Sequence, residues 1–219
     1  MDAMNQIIDW MPAMMRAAGV TLQLTATSVL TGLVLGVFLA LGKISNKAII
    51  RLPSTAYVFF FRGTPLLLQL FFIYYALPNV IPAFNIKSQM LAAYIAFSLN
   101  IAAYLAEIIR AAIQSIDKGQ MEAARSLGLS RGQGMRLVVI PQAYRRMIPP
   151  VCNEFVMVLK DTSLVSIIAL MDLTFWAKQV QSSTASALVF IPVFIMYMIL
   201  SGVFTAVFNR LEKKYSVYE

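Results

Sequence analysis

The chain has 219 residues, 59% hydrophobic and 13% charged, with a mean hydropathy of +0.73 and a net charge of +8. Soluble domains carry roughly 25% charged residues, so too little polar surface remains here to cover a water-soluble globule, and the composition places the chain in a membrane. The basic residues fall between long apolar runs and form no single soluble face, which argues against a nucleic-acid partner; one cysteine, Cys152, permits no internal disulfide, and a chain without histidine lacks the usual metal ligand.

The opening stretch, MDAMNQIIDW, carries two acids and no basic residue, so it reads as something other than a cleavable signal. A helix crossing the hydrocarbon needs about 20 apolar residues. The uncharged stretch 20–41 qualifies and predicts a first helix over 18–42, in which Gly32 and Gly36, four apart, allow close packing. The second apolar run, 66–77, reaches spanning length only from near Tyr57, which predicts a helix over 57–77 with Arg62 in its first turns. There Arg62 either snorkels to the cytoplasmic interface or makes a gating or interhelical contact. Thr64-Pro65 offers a capping hydroxyl and a proline suited to a first helical position. The third helix is predicted over 88–113: Asn100 sits mid-span, for an interhelical hydrogen bond or for substrate, and Glu107 is spaced to pair with Arg110.

Residues 107–146 then hold seven basic side chains, against three in 42–53 and three in the tail (Arg210, Lys213, Lys214). The N-terminus, the 78–87 loop and the 172–186 loop hold one each: Arg16, Lys87 and Lys178. The positive-inside rule puts the first three segments in the cytoplasm and the other three outside. Two spans must then separate 107–146 from the tail. One is the uncharged run predicted as a helix over 187–209, with Pro192 near its start. The other is a helix over 147–171, started or kinked by Pro149-Pro150, although it contains Glu154, Lys160 and Asp161. The expected fold is an all-α membrane protein of five transmembrane helices, N-terminus outside and C-terminus inside, forming a single domain over 1–219.

An ionisable group at the bilayer centre costs at least ~2.5–3.5 kcal/mol, so the 147–171 helix cannot face lipid throughout. Glu154 and Asp161 are two helical turns apart and share a face, with Val158 between them. That face either holds an internal ion pair, for instance with Lys160, or lines a pathway. Cys152 reads as a small buried apolar residue. In the 172–186 loop, Trp176 reads as an interface anchor, and an amphipathic segment there is able to meet an external protein.

Within the basic segment, Asp117 and Gln120 form a D-x-x-Q capping pattern, and Gly128 suits the left-handed residue after a helix end. Between them lies a short helix over 118–127, with Met121, Ala124 and Leu127 on one stripe and with Glu122 before Arg125, as the helix dipole favours. A helix this short is marginal alone in water, so it either lies on the membrane surface or is held by a cytoplasmic partner.

Glu122-Ala123-Ala124, three residues, Gly128, nine residues, then Val138-Val139-Ile140-Pro141 resembles the EAA loop of ABC-type import permeases, with Val138 for Ile and Ile140 for Leu. The stretches FRGTPLLLQL, YLAEIIRAAIQSIDKGQ, PQAYRRMIPP and LKDTSLVS extend the likeness to the polar-amino-acid subfamily, which includes glutamine, glutamate, arginine, histidine and cystine permeases. The resemblance implies the permease core of a binding-protein-dependent (type I) importer in a bacterial inner membrane. It further implies a second permease subunit, like or related, and an extracytoplasmic solute-binding protein. Two ATPase subunits, separate from this chain, would bind ATP and magnesium and receive residues Gln120, Met121, Glu122, Ala123, Ala124, Arg125, Leu127 and Gly128. The chain has no G-x-x-x-x-G-K-[ST] phosphate loop of its own and no cofactor is expected in it. Glu154, Asp161, Asn100 and Val158 are the candidate pathway residues, and paired carboxylates lean toward basic or amide side chains. The rival readings are an ion-coupled secondary amino-acid transporter using Glu154 and Asp161, and a membrane-embedded enzyme, for which no nucleophile–base pair is evident.

Overall fold

The computed structural model describes residues 3–82 and 86–215. The middle of the 78–87 loop and the extreme ends, including the first two residues of the opening stretch, lie outside the described residues. The main helices are α1 (Ala3–Lys43), α2 (Ala48–Gly63), α3 (Leu66–Val80), α4 (Gln89–Gln114), α5 (Lys118–Ser126), α6 (Ile140–Asp161), α7 (Leu173–Thr184) and α8 (Phe190–Tyr215). No strand occurs among the described residues.

The core is built on α4, where Ala92, Ala93, Ala96, Ala102, Ala103 and Ala106 are all fully buried. Against this small-residue surface α1 sets Gly32 and Gly36. A Cβ at Gly32 would sit 2.8 Å from Ile101 Cγ2, and one at Gly36 would sit 3.2 Å from the Ala102 carbonyl oxygen. The two helices therefore approach closely enough for backbone to touch side chain, as the spacing of those glycines predicts. A bond between Thr31 Oγ1 and Tyr94 Oη, 2.5 Å long, ties the same seam. Leu24, Leu70, Phe97, Ile101, Leu105, Val158 and Val165 complete the main core.

Among the described residues, three helical stretches are long and apolar enough to cross a membrane: Asn5–Lys43, Gln89–Gln114 and Ala187–Lys214. The last buries few side chains and presents Phe194, Met198 and Val203 outward, which suits a hydrocarbon surrounding.

The first helix begins at Ala3 instead of residue 18 and runs through Pro12. Its added turns are held by packing: Met14, Ala17 and Ala18 bury against Leu173, Trp176 and Ala177 of α7 and Val189 and Val193 beyond it. Trp176 is only 7% exposed, so it is a core residue and not an interface anchor. Its i, i−3 and i+1 neighbours form the apolar stripe of a short amphipathic helix, a pattern that composition alone leaves hidden.

The single second helix expected over 57–77 is instead α2 and α3, bent by 102°; counted as one broken span, the pair makes a fourth crossing candidate. Proline explains the break. The Phe61 carbonyl would accept from the residue 65 amide in a continuous helix, but Pro65 has no N–H. Two buried amides take over. Gln69 Nε2 donates to the Phe61 carbonyl at 3.0 Å and to the Thr64 carbonyl at 3.0 Å, and Asn100 Nδ2 donates to the Phe61 carbonyl at 3.1 Å. Asn100 Nδ2 also donates to Gln69 Oε1 at 3.0 Å. Thr64 does not cap α3: its hydroxyl donates back to the Phe60 carbonyl and accepts from Gln69.

The helix expected over 147–171 starts earlier, at Ile140, and stops at Asp161 with Pro149 and Pro150 in its interior. Residues Thr162–Ile168 continue as a 3-10 helix ended by Ala169 in the left-handed region, at φ 59. Phe155 of α6 stacks against Phe204 and Phe208 of α8, with ring centroids 4.7 and 5.4 Å away.

Two outcomes test this packing. Gly36→Ala should lower the melting midpoint in detergent by the equivalent of ~1–3 kcal/mol through overpacking, whereas Gly19→Ala, whose new Cβ meets nothing within 4 Å, should hold or raise it. Gln69→Leu and Asn100→Leu should each cost ~1–3 kcal/mol by leaving a buried polar partner unpaired. The double variant should cost less than their sum, because the two amides bond each other and either change alone already loses that bond.

Candidate functional site

The carboxylate face of α6 forms as its spacing predicts. Glu154 is half-buried, Asp161 is exposed at the helix end, and Val158 between them is 3% exposed and packs into the main core. Val158 thus backs this face and does not line an open channel within the chain. Among the described residues neither acid has a salt bridge: the two bridges present, Lys43–Glu107 and Arg110–Glu107, both lie elsewhere. The internal pair with Lys160 is absent, although Lys160 acts electrostatically on Asp161. Asp161 and the Arg62 guanidinium both act on the charge of Glu154. The arrangement is two unpaired carboxylates on one ridge with a cation within electrostatic reach, able to receive a positively charged group.

Asn100 is 7% exposed, and its amide nitrogen is committed to Phe61 and Gln69. It fixes the broken span, the interhelical alternative of its two readings. Gln69 escaped the sequence reading. The signal was available: a glutamine four residues after a proline, inside an apolar run, has no reason to be there except a backbone to satisfy.

The charge cluster at the end of α1 is richer than the expected Glu107–Arg110 pair. Arg110 Nη2 lies 2.7 Å from Glu107 Oε2, and Lys43 from the end of α1 bonds the other carboxylate oxygen. Beside it lies a cavity of about 460 Å³ lined by Lys43, Thr55, Val58, Phe59, Arg62, Tyr104 and Glu107 with Gly63. Arg62 rests over the Tyr104 ring, 5.3 Å from its centroid. It makes the interhelical contact, not a free snorkelling excursion.

The short polar helix is α5, and its caps are specific. Asp117 Oδ1 accepts from the Gly119 amide at 2.7 Å. Gln120 does not reciprocate as a capping-box partner; its side-chain oxygen accepts from Gln142 Nε2 at 3.1 Å, linking α5 to α6. Gly128 has φ +85. Its amide donates to Arg125 and the next amide, Leu129, donates to Ala124, at 2.9 and 3.1 Å, which is the Schellman pattern. A true capping box follows at Ser130–Gln133, opening the turn Arg131–Gly134.

The expected stripe of Met121, Ala124 and Leu127 is divided. Ala124 is 3% exposed, and a Cβ on Gly134 would meet Met121 Sδ at 2.8 Å and Ala124 Cβ at 3.4 Å. These two residues therefore seat α5 on its own chain, next to the π-helical turn Met135–Val139 that leads into α6. The face left outward holds Glu122, Ala123, Arg125 and Leu127, the last 83% exposed.

At the opposite end, Asp172 caps α7 by accepting from the Phe175 amide at 2.8 Å, and Tyr197 Oη donates to it at 3.4 Å. Lys178 Nζ donates to Ser166 Oγ at 3.0 Å, while Gln179, Ser182, Ser183 and Thr184 stay exposed.

Residues 32–217 match the model of the family described as binding-protein-dependent transport system inner membrane component. The L-cystine transport system permease protein TcyL of Bacillus subtilis (strain 168) is 39% identical, over 96% of this chain and 90% of its own. The arginine transport system permease protein ArtQ of the same organism is 38% identical, over 94% of each. A crystal structure of an amino acid ABC transporter with histidines is 38% identical and superposes with a TM-score of 0.90, covering 95% of this chain and 97% of its own. The MetNI methionine ABC transporter, at 21% identity and a TM-score of 0.79, shares the fold. With both the matched segment and the whole helical architecture in agreement, the chain belongs to the binding-protein-dependent transport system inner membrane components, the permease subunits of ABC importers.

Proposed function

We propose that this chain forms the translocation pathway of an ATP-driven importer for polar L-amino acids, those with basic or amide side chains first among them. Membership of the family makes it a transport subunit served by a solute-binding protein and a separate ATPase, and favours that reading over the ion-coupled one. The single observation that carries the substrate class is the unpaired Glu154–Asp161 ridge. The relatives named for arginine and L-cystine and the neighbour holding histidines support amino-acid cargo.

The topology that fits is five crossings, N-terminus outside and C-terminus inside. In it α6 with its 3-10 extension is the fourth crossing, and the bent α2–α3 pair is the second. The distribution of basic residues supports this orientation. A second permease subunit, identical or related, closes the pathway around the ridge. Two ATPase subunits bind ATP and magnesium and grip residues 118–127. The outward residues Glu122, Ala123, Arg125 and Leu127 make that contact, while Gln120, Met121, Ala124 and Gly128 set the helix on its mount. The polar outer side of α7 suits the solute-binding protein.

Two experiments check the two halves of the proposal. Leu127→Glu should abolish most of the ATPase stimulation by loaded binding protein in the reconstituted transporter, by about tenfold or more, since losing ~1.4 kcal/mol is tenfold. The chain should still assemble in the membrane, because that side chain packs on nothing of its own. Normal stimulation in Leu127→Glu would remove the coupling role. In an uptake screen over the twenty amino acids, Glu154→Gln and Asp161→Asn should each depress uptake of basic relative to amide substrates, by roughly tenfold for one lost charge-assisted contact. Rate and selectivity matching wild type in both variants would sink the ridge as substrate contact.

A further inference from the structure

Arg62 sits in the last turn of α2, beside the break, with its guanidinium over the Tyr104 ring. A guanidinium offers five N–H donors in one plane. Among the described residues no carboxylate, carbonyl or hydroxyl accepts any of them, since both salt bridges end on Glu107. A charged group at this level of a broken span is costly unless it faces a wet cavity or a counter-charge. The cavity is present: about 460 Å³, within the range typical of small-molecule sites.

The charges around that cavity are unequal. Lys43 is neutralised by Glu107, which Arg110 also clamps, so the Arg62 charge is left over and the lining favours an anion. The guanidinium carbon lies 5.3 Å from the Tyr104 ring centroid, and its N–H donors form the fork that grips a carboxylate through two parallel bonds. On its other side, Arg62 is within electrostatic reach of Glu154. Glu154 stands outside the cavity lining, so a zwitterion held at Arg62 has a counter-charge for its cationic end beyond the cavity's edge.

We infer that the Arg62–Tyr104 cavity is an α-carboxylate subsite of the pathway, holding the carboxylate of a free amino acid while its cationic end turns toward Glu154; this rests on the amino-acid reading above. An amidated or decarboxylated analogue keeps the cationic end and loses the partner for Arg62.

The test is isothermal titration of the complete transporter in nanodiscs, without binding protein, using L-arginine, L-argininamide, L-glutamine and L-glutaminamide. Wild type should prefer the better-bound acid over its amide by roughly 10–100-fold, the worth of a hydrogen-bonded charge pair. Arg62→Gln should reduce that preference to within about threefold by weakening the acid alone. Arg62→Lys, which keeps charge without the fork, should retain part of it and serves equally if the glutamine variant assembles poorly. Glu154→Gln should weaken L-arginine and L-argininamide alike. Acid preference unchanged in both Arg62 variants overturns the subsite and leaves the amino-acid reading standing. Failure of wild type to bind either acid overturns that reading and the subsite with it.

Discussion

The Phe61 carbonyl, left without its helical donor by Pro65, shows the constraint under which the whole molecule is built. Inside a bilayer no water is available to satisfy a backbone group, so each must find its partner in the protein. Helix ends in this chain therefore close through capping side chains or through left-handed turns whose backbone amides do the same work. Gln69 and Asn100 close the α2–α3 break. Asp172 caps the helix after the 3-10 segment, where the Leu173 amide also points to the Thr21 hydroxyl, 3.5 Å away. On the polar side, the glycine at φ +85 and the Ser130–Gln133 box close α5 and open the next turn. The buried polar residues in this chain are few, and most of the hydrogen-bonded ones sit at such junctions.

The same logic separates the charges by role. Glu107 is paired twice and belongs to the scaffold, tying the end of α1 to α4. Glu154, Asp161 and Arg62 have no such pairing among the described residues. Glu154, half-buried with Asp161 and Arg62 both acting on its charge, fits the contact role proposed for the ridge.

Much of this was legible in the residues. The all-helical membrane class followed from composition, and α4 was placed to within a residue at each end because its apolar run is uninterrupted and Ser88 caps it. The short polar helix α5 was equally clear, since Asp117 and Gly128 are local signals needing no tertiary context. What escaped detection depends on packing across the chain. The extension of α1 to Ala3 is held by α7 and the turns after it, a contact between residues more than 150 positions apart. The break at Pro65 was passed over because threonine-proline was taken only as a start signal and the apolar run continues through it, although a proline also ends the helix before it. The Met121–Ala124–Leu127 stripe was expected as a whole to dock on the ATPase, but Met121 and Ala124 turn onto the chain itself, because periodicity locates a face without naming its neighbour. Here the neighbour of the first two is Gly134, whose lack of a side chain makes room for Met121.

That seating has a mechanical consequence. α5 is not a free rod hanging from a linker; it is pinned to the root of α6 through Met121, Ala124, Gly134 and the Gln142–Gln120 bond. From Ile140 to Asp161, α6 is one helix of 22 residues, about 33 Å long at 1.5 Å per residue. Its root carries α5 and its far end carries the two acids. On the coupling role proposed above, a push on α5 would reach the ridge by moving one helix, with the π-helical turn Met135–Val139 between them. The 3-10 segment beyond Asp161 and the left-handed Ala169 stop the helix where it meets α1 and α7, so motion of α6 against that junction alters the surroundings of both carboxylates together. On that proposed role, coupling by rigid-body displacement of a single helix would require no chain of side-chain relays, with the polar segment and the charged ridge at the two ends of one stretch of sequence.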